Sequence, residues 1–246
     1  MPRYKASVSY DGTDFCGWQA QKQDLPTVQG TIETALFTWL REEITILGCG
    51  RTDSGVHARG YCFHFDTEAS LENAVYKLNA LLPLSISIEN IVQVSSDFHA
   101  RFDAVSRSYE FNIHTTKDPF KNRFSYRYFG KLDIDKLQEC LDVIASYKAF
   151  FPFCKSKTDV KTMNCDIREA QWTTDGNGNF LLRITADRFL RGMIRLIVGA
   201  CINYNKGKLT IHDLKDAMDR QSLLDTSYSV PACGLCLMDI EYPSAT

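Results

Sequence analysis

Between Gly50 and Gly60 the chain reads Gly-Arg-Thr-Asp-Ser-Gly-Val-His-Ala-Arg-Gly. A carboxylate (Asp53), an imidazole (His57) and two guanidinium groups (Arg51, Arg59) stand there among three glycines. Strand-like Thr45-Ile46-Leu47 precedes the run, and the alternation of Tyr61-Cys62-Phe63-His64-Phe65 after it reads as another strand. Reactive side chains on a glycine-rich loop between strands are held by a scaffold yet stay open to a ligand. A carboxylate so placed can serve as a covalent nucleophile. Asp53 and His57, joined by His64 or His99, can instead hold a metal for phosphoester chemistry, although such ligands are dispersed along the chain. The plainest reading is a polar connection in which Asp53 and the glycines shape a turn. By itself the run admits all three.

The flanking elements must position these groups. Tyr4, Ala6, Val8 and Tyr10 alternate with polar residues, as in a half-buried strand. Thr27 is an N-cap for a helix whose apolar positions are Ile32, Ala35, Leu36, Trp39 and Leu40. Leu71, Ala74, Val75, Leu78 and Leu82 predict a second helix, stopped by Pro83. Tyr109, Phe111 and Ile113 open a similar second series. It continues with a helix over 134–144, a hairpin turn at Gly176-Asn177-Gly178-Asn179, and an apolar helical stripe of Leu190, Met193, Ile194, Ile197, Val198 and Cys201. A short helix over 211–218 and a final strand close the chain. Strands and helices that do not alternate regularly predict an α+β fold of two similar halves, each with mainly antiparallel sheet. The boundary falls at 104–106, giving halves 1–105 and 106–246.

A length of 246 residues with 44% hydrophobic content suffices for one large core or two modest ones. No apolar run approaches a membrane span, and Met1-Pro2-Arg3-Tyr4-Lys5 lacks a signal-peptide core, so a cytoplasmic protein without a membrane partner is expected. Nine scattered cysteines, an odd number, suit reduced thiols. Cys233-Gly234-Leu235-Cys236 has no second such pair and leads into an apolar alternation, which reads as core packing and not as a zinc or redox site.

The formal charge of −2 excludes a generally basic nucleic-acid binder, but the charge is segregated. Residues 101–131 carry seven Lys/Arg against three Asp/Glu, residues 148–168 five against two, and residues 183–195 four against one. Phe120, Phe124, Tyr126, Tyr128, Phe150, Phe151 and Phe153 are interleaved with them, a pattern that favours RNA. Lys121, Arg123, Lys155 and Lys157 are the expected phosphate contacts. Helical spacing places Arg188, Arg191 and Arg195 on one flank. That flank is either an exposed charged edge or one from which Arg195 reaches Asp53 while Arg188 and Arg191 meet phosphates.

Further short motifs accompany the Asp53 run in order: Tyr10-Asp11-Gly12-Thr13, Gly17-Trp18-Gln19, Thr27-Val28-Gln29, Asn79-Ala80-Leu81-Leu82-Pro83 and Phe98-His99-Ala100-Arg101. Arg107-Ser108-Tyr109, Phe189-Leu190-Arg191-Gly192-Met193-Ile194-Arg195 and Gly234-Leu235 follow. Together they resemble the tRNA pseudouridine synthase A family from about Tyr4 to Tyr242. Ser54 stands where that family more usually has alanine, and Tyr61 where glutamine is common.

The resemblance implies one extended sheet formed from both halves, with a central RNA-binding cleft. It implies isomerisation of uridine to pseudouridine at positions 38, 39 and 40 in the anticodon arm of tRNA, by a homodimer without cofactor or metal. Asp53 then becomes the nucleophile, bonding either ribose C1′ or uracil C6, and Arg195 the cation that keeps it ionised. Tyr109 offers a face to the flipped base and a hydroxyl for proton transfer. Arg51 fills the vacated space, Arg188 and Arg191 meet phosphates, and His57 either contacts RNA or buttresses the loop. A non-catalytic RNA-binding module remains the alternative beside the phosphoesterase, but a carboxylate in a positive cleft would repel its ligand.

Overall fold

Alternating burial along Arg3–Tyr10 makes this segment strand β1, with Ala6, Val8 and Tyr10 turned into the core. In this computed structural model, which describes residues 1–21, 25–155 and 161–243, the chain forms two units. The first comprises Met1–Arg107 with Cys236–Thr246, and the second Ser108–Leu235. Among the described residues no helix is long and apolar enough to cross a membrane.

In the first unit β1 pairs antiparallel with both β3 (His57–Asp66) and β4 (Ile86–Val94), and short β2 (Leu47–Gly48) pairs with β3. The C-terminal strand β9 (Leu235–Glu241) returns to this unit and runs parallel to β3, with His57 opposite Cys236 and Ala58 opposite Leu237. Helix α1 (Val28–Leu40) starts where the Thr27 hydroxyl accepts the Gly30 N–H at 3.2 Å. It packs beside α2 (Ala74–Leu81) and buries Ile32 and Leu36 completely. Burying such side chains contributes about 1.5–3 kcal/mol each.

Two expectations are corrected here. The second predicted helix begins at Ala74 instead of Leu71, because Leu71 to Asn73 form a turn closed by the Ala74 N–H on the Leu71 carbonyl. The run Gly50–Gly60 is only half a loop. From His57 onward it is strand, held by β1 on one side and β9 on the other, and Tyr61 to Phe65 are all buried.

The second unit sets β5 (Ser106–His114, from Ser108) beside β8 (Asn179–Ala186), which pairs antiparallel with β7 (Ile167–Thr174) across the predicted hairpin. Two-residue β6 (Tyr126–Arg127) runs parallel to the end of β5. Helices α3 (Ile134–Ala145), α4 (Met193–Asn205) and α5 (Ile211–Arg220) complete it, α3 packing against α4, α5 and β7. Helix α4 is not the one-sided stripe expected. It is buried on nearly every side, and the segment 226–230 runs along it: Asn203 Nδ2 donates to the Thr226 carbonyl at 2.7 Å and the Val230 N–H to the Arg195 carbonyl at 3.3 Å. Both units are thus α+β with mainly antiparallel pairing. Cys233, just before β9, and Cys236, within it, are half-buried, the first thiol donating to the Ser125 carbonyl at 3.8 Å and the second to the Leu237 carbonyl at 3.5 Å.

The feature of the first unit that matters most for Asp53 is a close backbone approach. Residues 12–18 lie against the loop 52–56, and a Cβ on Gly12 would sit 2.0 Å from the Val56 oxygen. A Cβ on Gly17, whose φ is +89°, would sit 2.4 Å from the Thr52 oxygen. Gly17→Ala therefore combines left-handed strain of about 1–2 kcal/mol with overpacking of about 1–3 kcal/mol. Gly50→Ala, whose Cβ meets nothing within 4 Å, should change stability by less than about 0.5 kcal/mol. Urea unfolding of the two variants checks this, and equal stabilities would refute the close approach.

Candidate active site

Asp53 is half-buried on a loop whose backbone is tied at almost every step. The Tyr61 hydroxyl donates to the Gly50 carbonyl at 2.5 Å, and the Trp18 N–H to the Thr52 carbonyl at 3.3 Å. The Thr52 hydroxyl meets the Tyr10 phenol at 2.9 Å. Just beyond Asp53, the Ser54 hydroxyl and the Gly55 N–H both donate to the Phe15 carbonyl, at 3.2 and 3.3 Å. The Val56 N–H then closes a turn on the Asp53 carbonyl at 3.2 Å. A carboxylate on so constrained a backbone is aimed before any ligand arrives, which lowers the reorganisation needed for reaction.

Gln29 secures the approach segment from the other side. Its buried amide oxygen accepts the Ala20 N–H at 3.0 Å and the Gln19 amide at 2.6 Å, while its nitrogen donates to the Ile46 carbonyl and to Glu33. These bonds explain physically why Gly17-Trp18-Gln19 and Thr27-Val28-Gln29 accompany the Asp53 loop.

His57 is 3% exposed. Its Nδ1 accepts the Gly12 N–H at 3.1 Å and lies 3.1 Å from an Asp11 carboxylate oxygen, so the ring fastens the end of β1 to the start of β3. Arg51 and Arg59 are exposed on either side. His64 and His99 form a separate pair, with ring centroids 4.9 Å apart. His64 accepts the Ala100 N–H at 3.2 Å, and burial foremost, then the charge of Arg3 and of His99, pushes its pKa down to about 4. Among the described residues no group of three or more His, Cys, Asp or Glu is placed to hold a metal ion.

In the second unit Tyr109 lies on β5 and meets Phe189 edge-on, with centroids 5.3 Å apart and planes at 85°. Arg195 occupies the first turn of α4, and its Nε donates to the Val230 carbonyl at 2.7 Å, which fixes the direction of the side chain. The expected three-arginine helix flank is not present. Gly192, with φ 73°, is the N-cap of α4, so Arg188 and Arg191 precede the helix on the β8–α4 connection. Arg191 is exposed and its carbonyl accepts the Lys155 N–H at 3.2 Å. Arg188 lies close enough to oppose the burial that raises the Cys165 thiol to about 11. Lys157 lies outside the described residues.

Sequence reasoning missed Tyr10, Phe15, Trp18 and Tyr61 as supports of the Asp53 loop. The available signal was the pair Gly12 and Gly17, since glycines five residues apart in a polar connection mark backbone meeting backbone.

A tRNA pseudouridine synthase family model matches residues 6–103 and 148–243. The tRNA pseudouridine synthase A of Parabacteroides distasonis is 42% identical over 246 residues, covering 99% of this chain and 97% of the relative. That of Porphyromonas gingivalis is 40% identical, covering 99% and 98%, and that of Pelodictyon phaeoclathratiforme is 39% identical, covering 98% and 100%. With the family model spanning most of the chain and relatives matched over nearly their full length, this chain belongs to the tRNA pseudouridine synthase family.

Proposed function

We propose that this chain isomerises uridine to pseudouridine at positions 38, 39 and 40 of the tRNA anticodon arm, in the cytoplasm, as a homodimer, with Asp53 as the nucleophile. The reaction breaks the C1′–N1 bond, turns the uracil, forms a C1′–C5 bond, releases the C5 proton and places a proton on N1, so no oxidant or hydrolytic water is consumed. Asp53 attaches transiently to either C1′ or C6 and leaves unchanged. The observation that supports this reading best is the half-buried carboxylate on a loop braced by Tyr10, Phe15, Trp18 and Tyr61. A polar connection that only turned the chain would have no need of such bracing.

The remaining roles belong to the same proposal. Tyr109 supports the flipped base, and Phe189 at its edge keeps the ring from swinging away. Arg195 supplies the compensating positive charge, with its direction set by Val230. Arg51 takes the space the base leaves, Arg188 and Arg191 bind phosphates, and His57 acts through the loop as a positioning residue. No metal or cofactor is assigned a part.

An anticodon arm is read at a distance from the body of an L-shaped tRNA, so one 28.0 kDa subunit offers a short track for it. A second subunit would lengthen that track with its own basic segments, which is the argument for a homodimer. Lys121 and Arg123 stand in the most basic window.

Asp53→Asn should abolish turnover while tRNA binding persists, because the amide keeps shape without nucleophilicity. Tritium release from uracil C5-labelled tRNA, with a gel-shift control, reads both, and EDTA should leave the parent rate unchanged. Release by Asp53→Asn at the parent rate would sink the mechanism. Tyr109→Leu should lose base stacking worth about 1–3 kcal/mol, whereas Tyr109→Phe should bind normally and react slowly. Equal binding by both would remove Tyr109 from the base contact. Neutralising Lys121 and Arg123 together should flatten the salt dependence of tRNA affinity by about one unit of slope per lost phosphate contact. An unchanged slope would mark the pair as solvated surface.

A further inference from the structure

The Asp53 loop rests on three aromatic rings that the proposed chemistry does not use. Trp18 and Tyr61 are stacked, with centroids 3.9 Å apart and planes 26° apart, and Tyr10 tilts against both at 6.1 and 5.8 Å. All three are buried, Tyr61 to 1% exposure. Ring packing alone needs no polar atoms, yet this cluster directs three of them at the loop. The Tyr61 hydroxyl holds the carbonyl of Gly50, the Tyr10 hydroxyl holds the side chain of Thr52, and the Trp18 backbone N–H holds the carbonyl of Thr52. The bonds therefore fall on the residues one and three places before Asp53.

Gly48 gives the cluster its room. A Cβ there would lie 2.1 Å from the Tyr61 hydroxyl oxygen and 2.5 Å from the Trp18 ring nitrogen, so any side chain at position 48 would push the phenol off the Gly50 carbonyl. Burial also pushes the Tyr61 phenol well above its ordinary value, which keeps it a donor throughout the neutral range. The Gly50 carbonyl has a strand-bound neighbour on the other side, since the Cys49 N–H donates to the Cys62 carbonyl at 2.9 Å. The chain thus leaves fixed strand pairing at Cys49 and is caught by the phenol one residue later.

We propose that Tyr61 is a positioning residue for the isomerisation: its hydroxyl, held in place by the Trp18 stack and the space at Gly48, sets the direction in which the loop presents Asp53. This inference rests on the reading of Asp53 as nucleophile. Its own contribution is to assign rate, and not tRNA affinity, to a buried phenol that touches no substrate.

Tyr61→Phe keeps the stack and removes the hydroxyl, with its bond to the Gly50 carbonyl and its contact with the Cys49 thiol. Measured under single turnover at saturating tRNA, the rate should fall ~10-fold or more, as expected when a reacting group is misplaced by a fraction of an ångström. The tRNA dissociation constant should stay within about twofold of the parent, because the binding surface is unchanged. A parental rate, or a loss that appears only through weakened binding, would overturn the proposal. Hydrogen exchange supplies a readout independent of catalysis. Amides of residues 51–56 should exchange faster in Tyr61→Phe while those of β1 keep parental protection. Unchanged exchange in the loop overturns the positioning role even if the parent proves to make no pseudouridine, and faster loop exchange in an inactive parent would fault the functional reading alone. If Tyr61→Phe does not fold, Gly48→Ala, whose Cβ would crowd the Tyr61 hydroxyl off the Gly50 carbonyl, carries the same two measurements with the same expected and overturning results.

Discussion

Backbone meets backbone where residues 12–18 pass the loop 52–56, and most of what the first unit offers to chemistry depends on that contact. It exists because Gly12 and Gly17 have no Cβ to hold the two segments apart. Once they meet, the Phe15 carbonyl can collect the Ser54 hydroxyl and the Gly55 N–H, and the Trp18 N–H can reach Thr52. The loop backbone then has little freedom left. Conformational entropy for this ordering is lost during folding, stabilised by the β1–β3–β4 core, and so need not be lost again when RNA binds.

The same logic governs His57. A histidine at the mouth of a glycine-rich loop invites a role in proton transfer or metal binding. Its burial and its bond from the Gly12 N–H instead make it part of the joint between β1 and β3. In the second unit Arg195 is treated similarly, since the Val230 carbonyl directs its guanidinium before any ligand is present. Each unit spends ordinary backbone hydrogen bonds to aim one charged side chain. A charged group that is aimed in advance gains more from a developing charge than a mobile one does.

Much of this was legible in the sequence, and the failures have definite causes. Strand β1, the Thr27 cap and the hairpin at 176–179 were readable because period and turn chemistry are local. The strand character of His57–Gly60 was hidden because its partner β9 lies far along the chain and because glycine has a weak strand preference. Burial of α4 on nearly all sides was hidden for a like reason: its cover, residues 226–230, has no regular period to detect. The arginine series was misread because a 3.6-residue period was carried back through Gly192, where left-handed backbone starts the helix. Asp53 drew attention by residue type and spacing, but its own run left three readings open, and only the resemblance of the whole motif series singled it out as the nucleophile. The aromatic supports beneath it drew no such attention, since tyrosine and tryptophan in an apolar pattern read as core and only a structure shows where their polar atoms point.

The account stands or falls on what the braced carboxylate does to RNA. The most direct measurement is a map of pseudouridine in cellular tRNA from otherwise identical cells with and without this protein. Pseudouridine at positions 38, 39 and 40 should be present with the protein and return to uridine without it, while pseudouridines elsewhere in the same tRNAs persist. An unchanged map at those three positions would contradict the account.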